Sequence, residues 1–379
     1  MSSAVLPTGD AWELDGRTVL VRVDFNVPVT PGPDGPEVAD DFRIRTAIPL
    51  FQDLQARGAR VVACTHFGRP HGRVDARYAV EPIRRRLDEL CPGVELLENL
   101  RFDPGEESND PAFGASLVQG RDVYVNEAFG ASHRAHASVM VPPRLVPSAA
   151  GPNLRREVSF LLDALEEPAR PFVAIVGGAK VADKLGVVRA LAQRADTVIV
   201  GGAMAYTFEL AAGRAVGASL VDESAVASCR DLLATGKVVI PVDTRGLAVG
   251  VPVGEGGGDA EPVDFGAQIP EGAEGFDIGA RSVDLFAQTL APARTVFWNG
   301  PLGFFEDPRF AVGTEAIARL VASSSALSIV GGGDSAAALK RFGLEAQIDF
   351  VSSGGGASLE LLEFGDLPGL RALREGRAS

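Results

Sequence analysis

The sequence predicts two α/β domains in tandem, each built on a parallel sheet with helices on both faces. Three observations carry the prediction. Short β-branched apolar runs alternate with amphipathic windows along the whole chain, the pattern of buried parallel strands joined by crossover helices. The series is laid down twice, on either side of a small-residue and proline break at Ser148-Ala149-Ala150-Gly151-Pro152. The length, 379 residues, suits two domains of about 100–200 residues each.

In order, strands are expected at 18–23, 60–65, 94–97 and 122–126 in the first half. In the second they are expected at 172–176, 197–200, 238–242, 295–298, 326–330 and 348–352. Windows at 43–57, 80–90, 183–194, 222–234 and 309–322 place apolar residues three and four apart, as a helix with one buried face requires. A helical window at 154–165 links the halves, and a fresh strand starts after Pro171. The expected boundaries are therefore 1–152, a connecting helix 153–167, a second domain 168–365 and a tail 366–379. The GEGGG run at 254–258 reads as a surface loop.

Composition removes several function classes. With 46% hydrophobic and 23% charged residues the chain is neither disordered nor fibrous. A formal net charge of −14 excludes nucleic-acid binding through bulk charge. Cys64, Cys91 and Cys229 are scattered and form no CxxC pair, which fits a reducing cytoplasm and no zinc site. The N-terminus MSSAVLPTGDAWELDG has no basic-then-apolar signal, and the apolar stretch 197–212 is broken by Gly201 and Gly202. It is shorter than the ~20 residues a membrane helix needs, so a soluble, cytoplasmic protein is expected. Only four of the 36 basic residues are lysine, and two of them, Lys180 and Lys184, share the stretch GGAKVADK. A chain that otherwise uses arginine marks there a chemistry suited to a compact ammonium.

The first half carries cations at successive strand ends. Arg22, Asp24 and Asn26 follow the first strand in VRVDFNVP, His66 and Arg69 the second in THFGRP, Arg101 the third in ENLRF, and Arg134 the fourth. Arg43, at the start of the first helix, can face the same place. Ligands of open parallel sheets bind beyond the carboxyl ends of strands. One strand-end arginine is ordinarily a solvated surface charge, and Asp24-Phe25-Asn26 alone is ordinarily a turn. Five or six converging cations describe a small polyanion site. All four histidines, His66, His71, His133 and His136, fall in this half, as secondary anion ligands or, for His71 above all, structural residues.

The second half has no GxxxxGK[ST] and no GxGxxG. It has four other glycine turns after strands, at 177–184, 200–205, 330–334 and 352–358. Such turns let backbone N–H groups approach phosphates at helix N-termini, and four in one domain point to a multi-phosphate ligand. Asp334 is then either a Mg²⁺ contact or the N-cap of the next helix. In WNGPLGFFE, Glu306 is acidic where a ribose hydroxyl could bind.

VRVDFNVP, THFGRP, LLENLRF, DVYVNEAFGASHRAHAS, VGGAKVADK, VGGAMAYTF, TVFWNGP, GGGDSAAAL and SSGGGASLE stand in the order of one family. Over essentially its whole length the chain resembles the phosphoglycerate kinases. The resemblance implies two Rossmann-like three-layer domains facing each other across a cleft, with the tail returning to the first. It implies the glycolytic transfer of the acyl phosphate of 1,3-bisphosphoglycerate to ADP, giving 3-phosphoglycerate and ATP, after hinge closure. By the same resemblance, Asp24, Asn26, Arg43, His66, Arg69, Arg101 and Arg134, with Arg22 beside them, hold the phosphoglycerate. Lys180 and Lys184 lie by the transferring group with Arg43. Gly178, Ala179, Lys184, Gly202, Asn299, Pro301, Glu306, Gly331, Gly332, Gly333, Asp334 and Ser335 form the nucleotide site, with Asp334 near Mg²⁺. A monomer binding no nucleic acid or membrane is expected.

The chemistry agrees with this. The acceptor is a carboxylate, ionised at neutral pH, so no general base is required and alignment plus positive charge suffice. The chain departs from the family pattern at Glu127, where Asp is common, at Pro152-Asn153 and Arg155-Arg156, over 244–258, and in the bulk of Phe304 and Phe305. Two other readings are a paralogue acting on another carboxylate and a non-catalytic scaffold. The full basic set argues against the first, and retention of Lys184, Asp334 and Arg43 against the second. A dinucleotide oxidoreductase lacks its fingerprint here.

Overall fold

The apolar run TVLVR forms the central strand of the first sheet, because every one of its residues can be buried on one face or the other. The computed structural model describes residues 6–33, 35–254 and 258–376. It divides into two units, Met1–Ser159 with Phe364–Ser379, and Phe160–Glu363.

In the first unit, β1 (Thr18–Arg22) is followed by a hairpin, β2 (Val29–Gly32) and β3 (Gly35–Val38), then by β4 (Arg60–Cys64), β5 (Glu95–Leu96), β6 (Val123–Asn126) and β7 (Ser148–Ala150). The five-stranded sheet runs β5-β4-β1-β6-β7, all pairs parallel. Val19, Val21, Val23 and Phe25 lie in one core cluster with Phe51, Ile83 and Leu87 from the covering helices. By the two-residue alternation of a strand, Leu20 and Arg22 face the other side.

In the second unit come β8 (Phe172–Val176), β9 (Thr197–Val200), β10 (Val238–Val239), β11 (Thr244–Ala248), β12 (Val263–Phe265), β13 (Ala273–Ile278), β14 (Thr295–Asn299), β15 (Leu327–Gly331) and β16 (Phe350–Val351). Its six-stranded parallel sheet has the order β10-β9-β8-β14-β15-β16. Trp298 is fully buried in its core with Phe286, Ile317 and Leu339. Both units are thus α/β with mostly parallel sheets, the class expected.

Several elements differ from expectation. Ser148–Ala150, read as part of a break, is the edge strand β7, since small residues pair as readily as large ones. The expected strand 238–242 pairs only over Val238–Val239, where Pro241 supplies no N–H to a ladder. The connecting helix begins at Pro152 and runs through a π-helical turn, Ser159–Asp163. An antiparallel sheet, β12-β11-β13, was not foreseen, because Gly246, Gly275 and acidic residues interrupt its apolar pattern. Of the GEGGG run, residues 255–257 lie outside the described residues. Among the described residues no helix is long and apolar enough to cross a membrane.

The last helix, Pro368–Glu375, packs on the first unit, with Leu370, Ala372 and Leu373 buried. The Gly369 N–H donates to Ser132 O at 2.8 Å, and a Cβ at Gly369 would lie 2.7 Å from Val139 and 2.9 Å from Ser132. Gly369→Val is therefore expected to destabilise the first unit by about 1–3 kcal/mol, the usual cost of overpacking. Thermal unfolding should show a lower midpoint, and hydrogen exchange should rise first at Ser132 and Val139.

Candidate active site

Because β1, β4, β5 and β6 are parallel neighbours, the residues that follow them share one edge of the first sheet. His66 follows β4, Arg101 lies in the 3-10 turn Leu100–Phe102 after β5, and Arg134 follows the turn Phe129–Ala131 after β6. Asp24 Oδ2 accepts from Arg43 Nη1 at 3.0 Å, and Asp24 Oδ1 lies 4.0 Å from His66 Nδ1. Burial pushes the Asp24 carboxyl up, but the Arg43 and Arg22 guanidiniums and the Asn26 N–H outweigh it and hold it below the usual value. Asn26 Oδ1 accepts from the Gly68 N–H at 2.9 Å, and Arg101 Nη1 donates to Gly68 O at 2.6 Å. One turn thus ties the two residues together. Arg134 Nε donates to His133 Nε2 at 3.3 Å, and Arg69 is exposed.

Arg101 is only 2% exposed, yet its Nη2 has no hydrogen-bond partner. Its charge is partnered by Glu107, whose Oε1 lies 3.1 Å from Nε, and the spare Nη2 donor, which costs about 1–3 kcal/mol to leave buried and unpaired, is free for a further acceptor. Burial, then Arg134, pushes Arg101 down to about 10. Burial also lowers His66, His133 and His136, the last to about 4, so all three are neutral at neutral pH. His71 is an exposed turn residue with φ 55°.

Arg22, expected beside the ligand, is a correction. It is fully buried; its Nε donates to Ser138 Oγ at 2.9 Å, its Nη1 to Val23 O, and its Nη2 to His66 Nδ1 at 3.2 Å. Its place on the even-numbered face of β1 points it into the layer rather than past the strand end. Glu106 lies 3.9 Å away, also fully buried.

In the second unit the glycine turns following β8, β9, β14 and β15 pack backbone against backbone. A Cβ at Gly300 (φ 89°) would lie 2.2 Å from Gly177 O, and one at Gly202 (φ 66°) 2.6 Å from Gly178 N. Only glycine fits either place. Lys184 Nζ donates to Gly177 O at 2.6 Å and to Asn299 Oδ1 at 2.9 Å. An ammonium has three N–H groups, so one is left for a ligand. Burial pushes Lys184 down to about 8, with Asp334 and Asp183 opposing. Lys180, on the same turn, is exposed.

A cavity of about 580 Å³ opens beside these turns. Of the expected nucleotide residues it is lined by Gly178, Ala179, Gly202, Pro301, Glu306 and Asp334. Asn299 and Ser335 are buried framework instead: Asn299 spends its amide on Lys184 and on Gly331 O, and Ser335 Oγ accepts from the Gly300 N–H at 2.6 Å. Gly331 closes β15, and Gly332 (φ 100°) caps the helix Gly333–Phe342. Asp334 makes no side-chain cap; it sits exposed in the first turn of that helix. Sequence reasoning missed Tyr206, Ser219, Val253, Glu274 and Gly275, which also line the cavity. Most of these lie on or near the unforeseen antiparallel sheet. Phe304 lines the cavity, whereas Phe305 is buried with Ala311 and Ala338. Among the described residues no three His, Cys, Asp or Glu gather as a metal cage. Asp334 supplies a single carboxylate, which suits a Mg²⁺ bound chiefly through nucleotide phosphates.

The model of the family described as phosphoglycerate kinase matches residues 9–95 and 92–364. The phosphoglycerate kinase of Rubrobacter xylanophilus is 49% identical over 389 residues, spanning 96% of this chain and 97% of its own. That of Frankia casuarinae is 43% identical, spanning 97% and 99%. Among solved structures, phosphoglycerate kinase from Coxiella burnetii superposes with a TM-score of 0.86 at 33% identity, covering 98% of this chain and 99% of that one. The enzyme of Pyrococcus horikoshii gives 0.81 at 29% identity, covering 96% and 97%. With cations gathered at one sheet edge, a lysine set among glycine turns, and relatives matched nearly end to end, the chain belongs to the phosphoglycerate kinase family.

Proposed function

We propose that the chain carries out its family's reversible phosphoryl transfer, between 1,3-bisphosphoglycerate and ADP, with the phosphoglycerate on the strand ends of the first unit and the nucleotide on the glycine turns of the second. The observation that carries this assignment is Lys184, an ammonium fixed by Gly177 O and Asn299 Oδ1 with one N–H left among the glycine turns. The acceptor in the ATP-consuming direction is the carboxylate of 3-phosphoglycerate, already ionised, so no side chain has to take a proton. The protein's part is alignment and positive charge on the moving group's oxygens.

Lys184, with Lys180 and Arg43, supplies that charge. Arg101, through its unpaired Nη2, takes a ligand oxygen together with Arg69, Arg134, Asn26 and His66. Mg²⁺ would be held by Asp334 and the nucleotide phosphates, and when bound it neutralises phosphate charge. Cys64, Cys91 and Cys229 are free and buried, which supports work in a reducing cytoplasm.

The direct test is a coupled assay with 3-phosphoglycerate and MgATP, a dehydrogenase consuming the acyl phosphate. Turnover within about 1–10³ s⁻¹ is expected, and none from folded protein would return the assignment to a paralogue. Lys184→Ala should lower kcat by about 10²–10³, the loss typical of one transition-state donor, with a smaller change in KM. Arg134→Ala should raise KM for 3-phosphoglycerate and leave KM for MgATP in place; an unmoved KM would displace the anion site. Since Lys184 loses its charge as pH rises through about 8, kcat/KM for nucleotide should fall across that range. In Lys184→Arg the fall should vanish from the alkaline limb.

A further inference from the structure

We infer that Arg22 fixes the tautomer of His66, so that His66 meets the phosphoglycerate as a neutral ring with its proton on Nε2. The inference rests on the anion-site reading above for its ligand, though not for its geometry. A guanidinium has only donors, so the 3.2 Å contact between Arg22 Nη2 and His66 Nδ1 requires Nδ1 to be the acceptor. The remaining proton must then sit on Nε2. Asp24 is the competing influence, since its carboxylate would favour a proton on Nδ1. Its oxygen is 4.0 Å away and its other oxygen is engaged by Arg43 at 3.0 Å. Distance decides for Arg22.

The guanidinium cannot turn aside. Its Nε donates to Ser138 Oγ at 2.9 Å; that hydroxyl donates onward to Glu106 Oε1 at 2.6 Å, and the Ser138 N–H donates to Glu106 Oε2 at 2.9 Å. Val23 O holds Nη1. Arg22, Ser138 and Glu106 are all fully buried. The line Glu106–Ser138–Arg22–His66 thus draws on four separate segments and ends at the ring.

A proton added at Nδ1 would set donor against donor. The charged groups acting on the ring are Asp24, Arg22, Arg101 and Arg134, with Glu106 behind Arg22 and His136 Nδ1 3.7 Å from Glu106. Burial and the three arginines keep His66 well below its ordinary value, against Asp24. The ring therefore contributes an uncharged donor among cations, indifferent to pH across the neutral range. Arg22 is in this sense a positioning residue, acting on the ligand only through His66.

The experiment is long-range ¹H–¹⁵N correlation on the full chain labelled with ¹⁵N-histidine, without ligand, His66 being assigned by its loss in His66→Asn. At pH 7 and at pH 5.5 the Nε2–H tautomer is expected. An Nδ1–H form or an imidazolium overturns the inference. Arg22→Met with Glu106→Gln removes both buried charges together. It is expected to give mixed tautomers and to raise KM for 3-phosphoglycerate about tenfold, the worth of one hydrogen bond, with KM for MgATP unmoved. If that variant does not fold, Ser138→Ala keeps both charges and should loosen the tautomer alone. A pure Nε2–H signal in the folded variant, whatever its KM, overturns the role of Arg22. The expected tautomer in a chain with no turnover would sink the functional reading and leave this one standing.

Discussion

The buried pair Arg22–Glu106 is the constraint on which the first unit's ligand edge depends. Two full charges without solvent are expensive, and removal of one alone typically costs about 3–5 kcal/mol. The structure offsets the expense by giving the guanidinium acceptors at Ser138, Val23 and His66, and by giving the carboxylate two donors on Ser138. The pair and its partners come from β1 and the residue after it, from the residues after β4, and from the helices Pro104–Glu107 and Ala137–Met140. The pair therefore ties together the segments whose side chains gather at that sheet edge. Arg43, Arg101 and Arg134 can stay poised around a neutral His66 because the most deeply buried cation of the group is already neutralised.

The second unit solves a similar problem with backbone in place of side chains. Gly177 packs against Gly300 and Pro301, and Gly202 against Gly178 and Pro301, where any Cβ would collide. Lys184 is held by the Gly177 carbonyl and the Asn299 side chain rather than by a carboxylate. An ammonium satisfied by neutral dipoles keeps its attraction for phosphate, whereas a salt bridge would have spent it. The two units present charge by different means to the same kind of group. That fits a reaction in which a phosphoryl group passes between two anions with no proton to be moved.

Much of this was legible in the sequence because motif and chemistry coincided. Strand-end cations, glycine turns and the lone lysine pair are local signals, and the parallel sheets follow from continuous apolar runs. What escaped was set by partners distant in sequence. Nothing near Arg22 shows that Glu106 and Ser138 will bury it, and nothing near Asn299 shows that its amide is used up on Lys184 and Gly331. Asp334 looked like an N-cap because Asp is a good one, but Gly332 supplies the turn at a φ that Asp adopts poorly. The antiparallel strands β11 to β13 carry Gly246 and Gly275 where packing against Glu274 and Tyr206 leaves no room for a side chain. This erases the alternation that would have revealed them.

The helix Pro368–Glu375 belongs to the first unit, although 204 residues of the second, Phe160–Glu363, intervene. During synthesis, the segment that covers Ser132 and Val139 emerges only after the whole of the second unit. Until then the surface that receives Leu370 and Leu373 stays open to water. The first unit's apolar face is consequently closed by a segment that lies on the far side of the whole second unit in sequence.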